Sequence, residues 1–304
     1  SAMSSHDALM VASGITTVLD AVAIGDVRDG GDRLENLEKM INAVEETQKR
    51  GLNRAEHRLH LRCELPHHTT LPLFEKLVDR EPVSLVSLMD HSPGQRQFAS
   101  LEKYREYYQG KYSLNDVEMA RYEEEQLALA AQWSQPNRVS IAAMCRDRNI
   151  ALASHDDATH DHVRESHQLG SVIAEFPTTF EAAEASRAHG MNVLMGAPNI
   201  VRGGSHSGNV AASKLASLGL LDILSSDYYP ASLLDAAFRV ADDDSNCFTL
   251  SQAIRLVTKN PASALNLHDR GEIAEGKRAD LVLAHRKGEH IHIDHVWRQG
   301  KRVF

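Results

Sequence analysis

Short apolar runs alternate with longer stretches of helical period along most of this chain. That alternation constrains its fold more than any other feature. The runs lie at residues 15–24, 58–65, 83–89, 150–154, 171–176, 192–196 and 222–226, each of strand length. Helical periodicity marks 34–50, 70–79, 113–132, 137–148, 158–169, 179–189, 209–218 and 230–240, and Gly51, Gly170 and Gly190 stand where helices should stop. Strands that each pass through a helix before the next strand lie parallel, because only a long crossover returns the chain to the same edge. The pattern therefore predicts an α/β fold with a parallel sheet, open or closed into a barrel.

Polar residues gather where the runs end: Cys63-Glu64, Asp90-His91, His155-Asp156-Asp157, Glu175, Gly196-Ala197-Pro198 and Asp227. In parallel α/β folds the functional face lies beyond the carboxyl ends of the strands. One polar end is weak testimony; several on consecutive strands exceed what solvation alone requires. After residue 240 comes a helical stretch at 250–265. From Gly271 onwards the pattern changes to short strands and turns, which reads as part of a small β domain.

Composition narrows the function classes. The net charge of −9 argues against a general nucleic-acid binder, which needs a basic face, but leaves room for a small phosphorylated substrate at a local basic cluster. No apolar run approaches membrane-spanning length, and the opening SAMSSHDALM lacks the features of a secretory signal. Cys63, Cys145 and Cys247 are far apart and odd in number, so reduced thiols in a cytoplasmic protein are expected. The 17 histidines invite a search for metal ligands.

Alternation over 58–65 puts Arg58, His60, Arg62 and Glu64 on one strand face, and in a barrel that face points inward; the other reading is a half-solvated edge strand. His155 can bind Zn²⁺, Mn²⁺ or Fe²⁺ with a neighbouring carboxylate orienting it, or its segment can merely cap the next helix through Asp156, Asp157 or Thr159. Glu175 either meets a cation at the barrel mouth or sits in a solvated turn before Pro177. Asp227 can touch a metal and take a proton from water; a helix-capping role is weaker because Tyr228 and Tyr229 intervene. The loop 196–209, GAPNIVRGGSHSGN, offers Arg202, His206 and Asn209 among glycines ahead of a helix, an arrangement suited to an anion or to plain flexibility. A second cluster, 90–97, adds His91 and Arg96.

The strings ASGITTVLDA, HLRCEL, DHSPGQRQ, SHDD, EFPTT, GAPNIVRGGSHSGN and LSSDYYP, with the closing GEIAEGKRADLVL, run in order through nearly the whole chain. Together they resemble the amidohydrolase superfamily, and more narrowly its phosphonate-utilisation branch in the carbon–phosphorus lyase pathway. The resemblance implies a (β/α)₈ barrel of TIM type over residues 1–267 and the C-terminal part of a small β-sandwich over 268–304. It implies hydrolysis of α-D-ribose 1-methylphosphonate 5-triphosphate to the 5-phosphate and diphosphate, with one or two divalent ions, Zn²⁺ first and Mn²⁺, Fe²⁺ or Mg²⁺ as alternatives. Glu64, His155, Glu175 and Asp227 are then the expected ligands, His155 and Asp227 the catalytic pair, and Arg202, His206, Asn209, His91 and Arg96 the substrate contacts. No nucleic acid or membrane partner is expected, and a homo-oligomer is compatible. The superfamily's first-strand His-x-His motif is not in this chain, and residues 15–24 resemble the second strand. A segment carrying the first strand is expected to precede it. C–N bond hydrolysis and a metal-free scaffold are the rival readings.

Overall fold

The computed structural model describes residues 2–25, 32–204 and 208–304. A seven-stranded sheet comprises β1 (Thr17–Ile24), β2 (Glu56–Glu64), β3 (Val83–Met89), β4 (Ala151–His155), β5 (Ile173–Glu175), β6 (Asn192–Gly196) and β7 (Ile223–Ser225), paired in sequence order. All six pairings are parallel, as in the register Thr17↔Glu56 through Ile24↔Cys63. Helices follow the strands, and the sheet curls into the wall of a barrel. The strands fall within a residue or two of the apolar runs in the sequence, because each run must be buried on both faces.

Strand alternation divides that wall into two environments. Facing the helices, Leu59, Leu61 and Cys63 pack with Val22, Ile24, Ile41, Phe74 and Ile141, all at most 4% exposed. A second outer cluster joins Val193, Met195, Leu215, Leu224 and Val240. Each such aliphatic side chain contributes roughly 1.5–3 kcal/mol when fully buried. Facing inward, the first residues of the strands form an apolar floor of Leu85, Ala153, Ile173, Leu194 and Ile223, with Leu19 and Leu265 against it. Two residues further along each strand the inward positions become polar: Ser87, His155 and Glu175, level with Arg62 and Glu64 of β2. The floor underlies the polar layer on the side of the strands' amino ends.

Two helical expectations need revision. The stretches 113–132 and 137–148 form one helix, Asp116–Asp147, opened by a capping box between Asn115 and Glu118. Pro136 forfeits one backbone hydrogen bond, but the helix continues because the adjoining residues are anchored. Asn137 Nδ2 donates to the carbonyls of Leu65 (2.8 Å) and His67 (3.0 Å), just past β2. Conversely, 250–265 divides into Leu250–Arg255 and Lys259–Ala264, where the Pro261 ring excludes the carbonyl four residues before it. The helices Ala2–Ala12 and Leu101–Tyr112 are additional to those read from periodicity.

A three-stranded antiparallel sheet follows: β8 (Leu281–Lys287), β9 (His290–Arg298) and β10 (Lys301–Arg302), in the order β10-β9-β8. Glu56, at the start of β2, ties this end of the chain to the barrel by accepting from Arg270 Nη1 at 3.0 Å and from Arg278. Burial alone would raise the Glu56 pKa, but Arg278, Arg270 and Arg58 overcome it and hold the carboxyl at about 2. Cys63 and Cys145 are buried free thiols and Cys247 is exposed. Among the described residues no helix is long and apolar enough to cross a membrane.

Candidate metal centre

His91, Asp156 and His155 meet above the apolar floor. One donor atom from each lies within 4.8 Å of the others. His155 is the last residue of β4, and its Nε2 stands 3.3 Å from Asp156 Oδ2. His91 follows β3, and its Nε2 stands 3.8 Å from the same oxygen. The two rings meet edge to face at 5.6 Å between centroids.

Both imidazoles are oriented from behind. His155 Nδ1 is 2.7 Å from Glu175 Oε2, and His91 Nδ1 is 2.7 Å from Glu64 Oε2. Glu64 also accepts from the His91 backbone N–H at 3.1 Å. Glu175 also accepts from Ser87 Oγ at 2.8 Å, and Ser87 is 2.5 Å from His60 Nε2. A carboxylate on Nδ1 fixes the proton there and turns the Nε2 lone pair towards the centre, the arrangement that carboxylates impose on metal-binding histidines. Burial would raise the Glu175 pKa; the charges of His155, His60 and Arg62 outweigh it and hold the carboxyl far below its ordinary range.

The donor set fits a divalent ion. With Nδ1 committed, the two Nε2 atoms turn towards one Asp156 oxygen, so lone pairs and negative charge converge unless a cation intervenes. In part a proton supplies that charge. Burial would lower the His91 pKa, but Glu64 and Asp156 hold it up at about 10. Arg62 supplies more, with its Nη2 3.2 Å from His155 Nε2 and its Nε buried without a hydrogen-bond partner among the described residues. Imidazole nitrogen with carboxylate oxygen is the chemistry that Zn²⁺ and its neighbours in the first transition row accept.

Strand ends carry the backbone cost of this convergence. Asp156, Phe176 and Asp227 all have positive φ, at 56°, 58° and 50°, a region that residues with a Cβ enter rarely. Backbone strain of this kind clusters at functional sites. Asp227 lies at the mouth beyond β7, with its side chain open to solvent on one side. Gly196 lets it lean across β6, since a Cβ there would stand only 3.3 Å from Asp227 Oδ2. The walls desolvate the Asp227 carboxyl enough to raise its pKa, against the pull of Arg62 and Arg202.

The expected ligands thus separate into layers. His155 is in the central trio, Glu64 and Glu175 stand behind the two imidazoles, and Asp227 faces the group from the mouth. His91, expected to meet substrate, lies within the trio. Asp156 takes part in it too, while Thr159 caps the next helix by accepting from His162 N–H at 3.2 Å. Arg96, expected among the substrate contacts, is 2% exposed, and its guanidinium donates to Asp157 Oδ1 (2.6 Å) and Glu165 Oε2 (3.0 Å). Arg202 is exposed at the rim, donating to the Tyr228 hydroxyl at 2.5 Å. Asn209 is half-buried beyond it, and His206 lies outside the described residues.

A cavity of about 360 Å³ opens beside the trio, lined by Arg62, Glu64, His91, Tyr107, Tyr108 and Lys111 among others. The ammonium of Lys111 stands 5.4 and 5.5 Å from the Tyr107 and Tyr108 ring centroids. Sequence reasoning did not single out Arg62 as a cation of the site, although the β2 alternation places it inward. The helix Leu101–Tyr112 was missed because its buried face consists of tyrosines among charges, which gives no apolar period.

The model of the Amidohydrolase family matches residues 8–304 of this chain. The alpha-D-ribose 1-methylphosphonate 5-triphosphate diphosphatase of Escherichia coli (strain K12) is 90% identical over 304 residues, which are 100% of this chain and 80% of that protein. Among solved structures, dihydropyrimidinase from Brevibacillus agri NCHU1002 superposes with a TM-score of 0.53 at 11% identity, covering 97% of this chain and 78% of the other. Helicobacter pylori aminofutalosine deaminase gives a TM-score of 0.52 at 13% identity, covering 98% and 77%. At such identities the two structures speak for the barrel fold alone.

Proposed function

This chain belongs to the amidohydrolase family, and from that premise we propose that it hydrolyses α-D-ribose 1-methylphosphonate 5-triphosphate to the 5-phosphate and diphosphate. The observation that carries the reading is 90% identity along the whole chain to the Escherichia coli diphosphatase of that name. The site is chemically suited to it. A triphosphate substrate needs positive charge beside the reacting group. Arg62 and Lys111 line the cavity, and Arg202 stands at the mouth.

His91, His155 and Asp156 are the residues we assign to hold a divalent ion, Zn²⁺ before Mn²⁺, Fe²⁺ or Mg²⁺. When bound, that ion supplies activation of water and offsets phosphoryl charge. Glu64 and Glu175 keep both Nδ1 atoms protonated and both rings turned inward. Asp227 takes a proton at its carboxylate. Its raised pKa, set by desolvation against the pull of Arg62, brings it closer to the affinity such a transfer needs. Arg62 meets the phosphoryl oxygens, where charge must be balanced as one water adds across the α–β phosphoanhydride and diphosphate leaves. Tyr107 and Tyr108 form an aromatic part of the cavity lining. Buried free thiols at Cys63 and Cys145 suit a reducing cytoplasm.

The test is to incubate Zn²⁺-loaded protein with the ribosyl triphosphate and assay diphosphate. The expected result is release that His155→Ala lowers by orders of magnitude. Equal release from both proteins, or turnover of cyclic amides with none of the triphosphate, would overturn the reading.

A further inference from the structure

A second cluster of donors lies on the opposite face of the sheet, between the helix Ala2–Ala12 and strands β1 and β2. We propose that His6, Asp20 and His57 form a separate divalent-cation site there, one that fastens the helix to the sheet. The three residues come from three different elements, and one donor atom of each lies within 4.8 Å of the others. Asp20 and His57 point outward towards the helices, whereas Arg62 and Glu64 point into the barrel. This is therefore not an extension of the catalytic centre.

Both nitrogens of the buried His57 ring face carboxylates. Asp7 is 1% exposed and accepts from the backbone N–H of Arg54 (3.0 Å) and Ala55 (2.9 Å). His57 Nε2 lies 3.2 Å from the same carboxylate, and Nδ1 stands 2.7 Å from Asp20 Oδ2, in a residue with no solvent exposure. A ring with a single proton therefore turns one lone pair towards negative charge. A second proton or a metal cation on that nitrogen resolves the conflict, and a cation engages the His6 nitrogen as well. His6 aims its Nε2 at the other oxygen of Asp20, 2.8 Å away. Two imidazole nitrogens and one carboxylate, with a further carboxylate behind the buried imidazole, make a carboxylate–histidine–metal arrangement.

Tetrahedral zinc bonds of about 2.0–2.2 Å place ligand atoms roughly 3.3–3.6 Å apart, so the two short contacts to Asp20 need to open by about 0.5–0.9 Å. The His6 side chain is 42% exposed, which gives an ion a route in and leaves room for water as a fourth ligand. Arg54 Nη1 stands 3.4 Å from Asp7 Oδ2 and balances that carboxylate, so Asp20 is the one left for the cation. The class of ligand is a borderline transition-metal dication with Zn²⁺ first, since hard cations such as Mg²⁺ prefer all-oxygen shells.

The experiment uses the whole chain, loaded with excess Zn²⁺, passed through a desalting column and analysed for metal. Wild type should retain one equivalent more than His6→Ala. Asp20→Asn, which keeps the shape of the side chain and removes its charge, should lose the same equivalent. Diphosphate release by His6→Ala should remain that of wild type. A second measurement removes the catalytic centre from the count: His155→Ala titrated with Co²⁺ should still develop visible ligand-field absorption, and His155→Ala/His6→Ala should not. Equal metal content in wild type, His6→Ala and Asp20→Asn would overturn the proposal and leave the charge between His57 and Asp20 to a proton.

Discussion

Glu175→Gln separates a carboxylate that orients His155 from one that binds the metal itself. The carboxylate accepts from His155 Nδ1 at 2.7 Å and from Ser87 Oγ at 2.8 Å, and both contacts are buried. Glutamine has the same size, and its one oxygen can take the Oε2 place and still accept from both His155 Nδ1 and Ser87 Oγ. The fold should therefore survive, and what is lost is the charge that strengthens the Nε2 donor. Removing such a supporting group typically costs about 10- to 100-fold in metal affinity or activity, or roughly 1.4–2.7 kcal/mol. Zn²⁺ affinity should be measured by competition with a chromogenic chelator, and diphosphate release followed at saturating Zn²⁺. The reasoning is refuted in one direction if affinity is unchanged within twofold. It is refuted in the other if binding is abolished as completely as in His155→Ala, because Glu175 would then be a ligand in its own right.

Arg96→Met should destabilise the protein by roughly 3–5 kcal/mol, because it strands Asp157 in the interior without its cation, while the KM of the folded fraction stays unchanged; urea unfolding and steady-state kinetics check the two halves. Lys111→Met should raise KM for the triphosphate several-fold and leave kcat within a factor of about three, since the ammonium lines the cavity but is not part of the trio; a kcat loss with KM unchanged would place Lys111 at the reacting bond. Glu56 has a folded pKa depressed to about 2 from 4.5, so its stabilising contribution is complete above the unfolded value and is lost as pH falls through the folded one. Relative to Glu56→Gln, wild type should be more stable by roughly 1–2 kcal/mol at neutral pH after solvent screening, with the gap narrowing by about 0.8 kcal/mol at pH 4 in urea titrations.

Strand positions were legible because a parallel strand covered on both faces is mostly apolar, as at Val83–Met89 and Asn192–Gly196, both found where expected. Alternation put Arg58, His60, Arg62 and Glu64 on one face of β2 but left open whether that face was inward or half-solvated; Arg62 and Glu64 line the cavity. Partnership across the chain was not legible. Arg96 and Arg202 look alike as cations in loops at strand ends. What separates them is that Asp157 and Glu165, 61 and 69 residues away, close on Arg96 and bury it. Likewise nothing local ranks Asp156 above Glu175 as the partner of the His155 Nε2. That follows from a left-handed turn at Asp156, which folds its carboxylate back over the ring. The stretches 113–132 and 137–148 read as separate helices for the same reason: the carbonyls of Leu65 and His67, on which Asn137 anchors the continuous helix, lie in another segment of sequence.

Anomalous diffraction at the zinc edge, on crystals of the Zn²⁺-loaded protein, addresses the shared cation directly. A peak is expected within bonding distance of His91 Nε2, His155 Nε2 and an Asp156 oxygen, with Glu64 and Glu175 still on the Nδ1 atoms. A peak liganded by other residues, with His91 and His155 both uncoordinated, would contradict it.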